Sequence, residues 1–423
     1  MKEELLSFIW KNRMFTTGSL KSRKGKPVSV IHPGYENQDA GPDYTMARLR
    51  FDQTLWVGEV ELHVKTSDYI AHNHQSDPAY DKLIAHVVWD HDLNYDPSGA
   101  MVLIELKSQS DPNVKLKALR LFRSRRMLAC EGFAEDLPLV YKRQILDSAM
   151  VARLVEKSEP LFKLRSEQTI WHYLLIQLFS ASGAPINKEP MKWLAELINP
   201  KHISALVGKP LDMEALLFGQ AGFLNTPVDA YQKELKKRFD FLVQKWKLEV
   251  MDSKVFKTGK MRPQNFPTVL IAVWASILSK YGHRFMDLVL LEKMSDAYSF
   301  FQEPAGDYWL VHHGFGRKGK QGQRKFGPAI LQRIFINAVI PFLFGYGRLG
   351  GNEALEIRAM NWMAALPPED NYITRKFKTL DWKLKSAADS QALIYWFKNR
   401  CQAKKCLNCP IANHWLKYDT ETT

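Results

Sequence analysis

Apolar and polar positions in the first hundred residues follow two rhythms. From Glu3 to Met14 the apolar residues Leu5, Leu6, Ile9 and Trp10 recur at helical spacing, which predicts an amphipathic helix. Val28 to His32 reads as a short strand after the turn-like run Lys21 to Pro27. Tyr44 to Phe51 and Leu55 to Val64 alternate at period two and predict a hairpin. Lys82 to Trp89 and Met101 to Leu106 are apolar runs of the kind buried strands carry.

After about Asn113 the rhythm turns helical and stays so. Val114 to Met127 predicts a helix, and Tyr141 to about Arg400 a series of amphipathic helices. Breaks fall at Gly183 to Pro185, Gly208 to Pro210 and Arg262 to Pro267. Ile330 to Tyr346 is the most apolar stretch, but Gln332, Arg333, Asn337 and Pro341 make it read as a buried helix rather than a membrane span. The expected fold class is α+β: a mixed α/β nuclease-like sheet domain over residues 1–130, then a large all-helical domain over 131–390. A Cys-rich, metal-binding segment over 391–423 follows.

Charge sharpens this outline. The chain carries a formal +14, which favours a polyanionic partner, with nucleic acid foremost and DNA ahead of RNA. A soluble protein that is merely basic is the plain alternative. Lys115, Lys117, Arg120, Arg123, Arg125 and Arg126 put six cations on the Val114–Met127 segment, a candidate phosphate-contacting face. Arg317, Lys318, Lys320, Arg324 and Lys325 stud the glycine-rich run Gly314 to Gly327, read as a flexible phosphate-gripping loop or a plain surface loop. That run lacks the Gly-Lys-Ser/Thr ending of a nucleotide-binding loop.

Gly41 to Asp92 reverses the trend. It holds nine Asp/Glu against four Lys/Arg, a formal −5, and five of the 12 His: His63, His72, His74, His86 and His91. Glu59, Glu61, His63 and Lys65 alternate along the predicted strand and so share one face. Four ionisable groups on one face line either solvent or a functional cleft. Asp43 before the hairpin and His72, His74 and Asp77 after it make a divalent-metal site the sharper reading.

Cysteine use points to a second metal site. The chain has four Cys and an acidic, only briefly apolar start, so the expected setting is cytoplasmic, without an export signal or structural disulfides. Cys401, Cys406 and Cys409 lie within nine positions, and Cys130 stands far upstream. The Cys-x4-Cys-x2-Cys spacing with a distant fourth Cys is compatible with an iron–sulfur cluster, with [4Fe-4S] as the form expected. Structural Zn2+ with His414 as fourth ligand is the rival, and free buried thiols the plain reading.

The runs Met1 to Trp10, Asp39-Ala-Gly-Pro-Asp-Tyr44, Trp56-Val-Gly-Glu-Val-Glu-Leu-His63, Ser67-Asp-Tyr69, Leu217 to Leu224, Arg262 to Pro267 and Cys406-Leu-Asn-Cys409 resemble a bacterial domain-of-unknown-function family over nearly the whole chain. That resemblance implies no activity. The helix–strand order, with Asp43 entering one strand and Glu61-Leu-His63 on the next, is similar to the PD-(D/E)xK nuclease superfamily. The similarity implies Asp43 and Glu61 as ligands of Mg2+ or Mn2+, with Glu59 as an accessory carboxylate. His63 stands where that superfamily places Lys, and Lys65 is a possible substitute for it. Certain helicase-associated members carry an iron–sulfur staple, which the layout of Cys130, Cys401, Cys406 and Cys409 resembles.

The sequence therefore supports a metal-dependent nuclease as first expectation. Asp43, Glu59 and Glu61 bind metal, His63 or Lys65 acts on the water, and His72, His74 and Asp77 support the ligands or hold a second ion. A zinc hydrolase of a small substrate built on the His-rich loop is one rival. A non-catalytic nucleic-acid binder on the same fold is the other.

Overall fold

The computed structural model describes residues 1–16, 20–37, 39–100, 102–135, 137–259 and 261–418. They divide into two compact units. The first comprises Met1–Ile145, Lys376–Trp382 and Trp396–Thr423, the second Leu146–Arg375 and Lys383–Tyr395. The protein is mixed α/β, with an N-terminal sheet followed by a mostly helical remainder. The first unit continues past the boundary expected at residue 130, and it takes the cysteine segment from Trp396 onward. The reason is apolar: the Phe133 ring stacks on Trp415 at 4.1 Å, and Ile411, Ala412 and Leu416 are buried.

The first unit opens with α1 (Glu3–Lys11), whose acids begin the helix and whose Lys11 ends it, each facing the favourable end of the dipole. Leu5, Leu6, Ile9 and Trp10 are buried, and the Trp10 indole N–H donates to Pro33 O at 3.0 Å. Seven strands follow: β1 (Leu20–Lys21), β2 (Pro27–His32), β3 (Tyr35–Glu36), β4 (Tyr44–Phe51), β5 (Thr54–Lys65), β6 (Leu83–Asp90) and β7 (Val102–Glu105). They form one sheet in the order β1-β2-β4-β5-β6-β7, with β3 also pairing β4. The β4–β5 hairpin turns through Asp52 in the left-handed region, and β4 and β5 pair antiparallel. From β5 to β7 the pairing is parallel, which buries β6 except at Asp90 and explains its apolar run, broken before Asp90 by the buried His86 alone. Met101, the expected first residue of β7, lies outside the described residues.

Between β5 and β6 lie the short helix α2 (Asp68–Ala71) and two single 3-10 turns. After β7 comes α3 (Pro112–Arg123), capped by the Asp111 carboxylate, which accepts from Asn113 N–H at 2.9 Å. The helix ends at Arg123, so Arg125 and Arg126 stand on irregular backbone beyond it.

The second unit is built from helices around Trp274, Trp309, Phe218, Phe285, Phe301 and Phe335, all buried. Its helical stretch Pro328–Leu349 passes a length-and-composition test for a membrane span, yet 72% of its most apolar window is buried inside the protein. A π-helical segment, Phe335–Val339, interrupts it, and the buried Arg153 donates there to Ile336 O at 3.2 Å. Gly314 to Gly327 is not a loose loop. His312–Gly314 and Arg317–Lys318 pair as a small hairpin, Gly322 N–H donates to Leu310 O at 2.9 Å, and the Arg324 guanidinium donates to His312 O and Lys320 O.

Candidate metal centre

β4 and β5 bring the first two acids together. Asp43 lies just before β4, and Tyr44 pairs with Val60 across the hairpin. The Asp43 N–H donates to Glu61 Oε2 at 3.0 Å, while Asp43 Oδ2 accepts from Leu62 N–H at 2.9 Å. A register shift between Tyr44 and Ala47, with Met46 at a positive φ of 56°, marks a bulge beside this contact. Bulges recur where a strand must re-aim a side chain. Burial pushes the Asp43 carboxyl up to about 6 despite the Leu62 hydrogen bond. Burial and then Asp43 push Glu61 up to about 8.

The histidines complete the cluster. His63 projects from the same face of β5 as Glu61 and is fully buried. His72 follows α2, and His74 opens the next 3-10 turn, after Asn73 in the left-handed region. These positions bring one nitrogen each of His63, His72 and His74 within 4.8 Å of one another. Glu61 Oε1 lies 3.6 Å from His63 Nε2 and 3.4 Å from His74 Nε2. Tyr80 stacks on His74 at 4.1 Å, and Tyr69 lies edge-on to His63 and His74. With Leu83, these tyrosines form a small buried cluster that fixes the ring positions.

A chain of hydrogen bonds sets the tautomers. His86 Nδ1 lies 2.9 Å from Asp96 Oδ1, and His86 Nε2 lies 3.1 Å from His63 Nδ1. Burial opposes ionisation of Asp96, but hydrogen bonds from His86 and Ser98 hold it below the usual carboxylate range. A carboxylate only accepts, so His86 Nδ1 carries the hydrogen, and in the neutral ring Nε2 keeps a lone pair. His63 Nδ1 must then donate, which leaves the lone pair of His63 Nε2 facing His72 and Glu61. Burial, followed by His86, His72 and His74, pushes His63 down to about 3 and keeps its ring neutral. A neutral imidazole with its far nitrogen hydrogen-bonded is the form that ligates metals.

Three imidazoles and a carboxylate suit Zn2+, Mn2+ or Fe2+ better than Mg2+, which prefers oxygen and retained water. The ligand atoms that close up most tightly are the histidine nitrogens, not the carboxylate trio of Asp43, Glu59 and Glu61. Glu59 buries one carboxylate oxygen with no hydrogen-bond partner. Lys65 is exposed, and its backbone N–H donates to Asp68 Oδ2 at 2.8 Å. Asp77 is exposed and caps the Pro78–Tyr80 turn by accepting from Ala79 N–H at 2.9 Å.

Other expected residues are placed as follows. Cys130, Cys401, Cys406 and Cys409 gather in the first unit, as their mutual electrostatic effects record. His414 instead lies edge-on to Tyr141 at 5.4 Å. On the α3 segment Arg120, Arg123, Arg125 and Arg126 are exposed. Lys115 covers the Trp89 ring, and Lys117 is buried against the Trp415 ring at 5.3 Å. Lys117 is therefore a packing residue, because its aliphatic stem and cation are spent inside the first unit. Arg317, Lys318, Lys320 and Lys325 are exposed in the second unit, and Arg324 holds its own loop.

The roles of His86 and Asp96 escape a sequence reading. The signal available is a single His inside an apolar strand, paired in register with Glu61. A cavity of about 450 Å3 lined by Arg23, Lys24, Lys26, His91 and Asp96, at the far end of the relay, escapes it too.

The fold and this cluster define a mixed α/β protein with a histidine–carboxylate candidate metal centre on an interior strand. Residues 3–372 match the family described as Protein of unknown function (DUF2851), and the chain belongs to that family. No curated protein and no solved structure matches the chain.

Proposed function

We propose that the first unit is a metal-dependent phosphodiester hydrolase acting on nucleic acid, DNA first. The observation that carries the reading is the convergence of Glu61, His63, His72 and His74, with Asp43 locked beside them across two strands. A divalent cation held there supplies Lewis-acid offset of phosphoryl charge and an acidified water. Glu61 and the three imidazoles would hold the ion, the Asp43 carboxylate fixes β5 beside it by accepting from Leu62 N–H while its own N–H holds Glu61, and Asp96 and His86 keep His63 in its ligating tautomer. The helix, the antiparallel β2–β4–β5 set and the parallel β6 agree in order with the PD-(D/E)xK pattern and support this reading. The formal +14 supports a polyanionic substrate.

The test is cleavage of linear duplex and single-stranded DNA with Mn2+, Zn2+, Mg2+ or chelator. Asp43→Ala and Glu61→Ala are expected to lose on the order of 100-fold or more of the activity. If both cut like the parent, the activity belongs to a contaminant. The donor set also favours a second reading, a zinc hydrolase of a small substrate. Turnover of a small ester with no cleavage of DNA would select that one.

A further inference from the structure

Four free thiols from distant parts of the chain meet in the first unit, apart from the imidazole centre. Cys130 lies in the turns after α3, Cys401 ends the π-helical segment Phe397–Cys401, Cys406 opens a 3-10 turn and Cys409 precedes the helix Pro410–Tyr418. Cys130 and Cys409 are buried, and Cys401 and Cys406 partly so. The approach is built. The Lys404 ammonium donates to Phe122 O and Ser124 O at 3.4 and 3.3 Å, and Lys376 pairs with Glu131. Phe133 stacks on Trp415.

Donors and a cation surround the Cys409 sulfur. Backbone N–H groups of Ala412 and Ile411, the Trp396 indole and Arg400 all favour the charged form of Cys409, against its burial. The Trp396 indole N–H is buried and has no hydrogen-bond partner. A buried N–H left without a partner beside a cysteine sulfur is a donor that a metal-bound thiolate can accept.

Size separates the candidate metals. Zinc at about 2.3 Å from four tetrahedral sulfurs needs those sulfurs about 3.8 Å apart. Among the described residues the group whose ligand atoms all close within 4.8 Å is the imidazole one, His63, His72 and His74. Among the described residues no three of these sulfurs close to that distance of one another, which leaves room for the larger span of an inorganic cluster.

We propose that Cys130, Cys401, Cys406 and Cys409 ligate a [4Fe-4S] cluster, with the Trp396 indole N–H donating to the Cys409 sulfur. The cluster ties the C-terminal segment to the turns after α3, so it staples the first unit whatever reaction the imidazole centre performs.

The test is the full chain purified without oxygen, or reconstituted with ferrous iron and sulfide. The expected result is a broad visible absorption bleached by dithionite, with about four irons and four acid-labile sulfides per chain. Cys401→Ser and Cys406→Ser, at partly exposed positions, should lose that absorption and most of the sulfide while far-ultraviolet circular dichroism persists. Trp396→Phe should keep the cluster and lower its midpoint potential, because a hydrogen bond to a ligand sulfur is removed. A colourless chain holding one zinc that Cys401→Ser releases overturns the proposal. So does a chain that takes up neither iron nor sulfide and shows four titratable thiols.

Discussion

The Nδ1 of His63 lies 3.1 Å from the Nε2 of His86, and both rings are buried. Neither ring can take its proton arrangement from water, so the carboxylate of Asp96 sets both. Asp96→Ala should therefore weaken metal binding at the imidazole centre by about 10–100-fold without unfolding the chain. Asp96→Asn keeps an acceptor for His86 and for Ser98 and should retain most of the affinity. Calorimetric titration with Zn2+ or Mn2+ decides, and an unchanged affinity in Asp96→Ala removes the relay from the account.

Close approach of β5 and β6 beside the site depends on Gly58. A Cβ built there would meet Ile84 Cγ2 at 2.4 Å and Lys82 O at 3.2 Å. Gly58→Ala should cost about 1–3 kcal/mol, the usual penalty of overpacking. Urea denaturation of the variant measures it, and an unshifted midpoint contradicts the packing described.

The second unit carries a buried acid whose proton should govern its stability. Burial pushes Glu214 up to about 7 from an ordinary 4.5, although Trp309 and Tyr231 both donate to Oε2. The folded chain holds this proton where the unfolded chain has released it. The stabilisation is complete below about 4.5 and is lost as pH rises to about 7, on the order of 3 kcal/mol in all. Denaturation of the second unit at pH 5 and pH 8 should show the loss, and Glu214→Gln should abolish the difference. Equal stabilities of the parent at the two pH values would refute this.

The cations of the α3 segment should separate into two kinds. Replacing the exposed Arg123, Arg125 and Arg126 by Ala should flatten the salt dependence of DNA binding, by about 0.9 in log–log slope for each phosphate no longer neutralised. Lys117→Ala should leave that slope alone and cost about 1–2 kcal/mol of stability through its contact with Trp415. If Lys117→Ala instead lowers the slope and spares stability, its buried placement is wrong.

The elements are legible because each rests on local periodicity. The pattern predicts Tyr44–Phe51 over its observed span, and β2, β5 and β6 within one or two residues. The apolar run of β6 discloses a strand buried on both faces, and the alternation along β5 puts Glu59, Glu61 and His63 on one face. His72 and His74 stand out as a loop rich in His, which the leading expectation uses only to support the acids and the rival zinc-hydrolase reading uses as primary ligands. Their spacing from β5 is set by α2 and a left-handed Asn73, which leave no periodic trace.

The sequence by itself determined the order of the longer strands and the change to helices after them, the balance of charge and the supply of His, Asp, Glu and Cys. Those follow from side-chain type and spacing along one chain. Tertiary structure alone decided which of them meet. Parallel pairing of β5 with β6 set His86 beside His63, and a segment near residue 400 carried three thiols to Cys130. Contacts between residues far apart in sequence arise from burial and register across the whole sheet. No window of neighbouring residues contains that information.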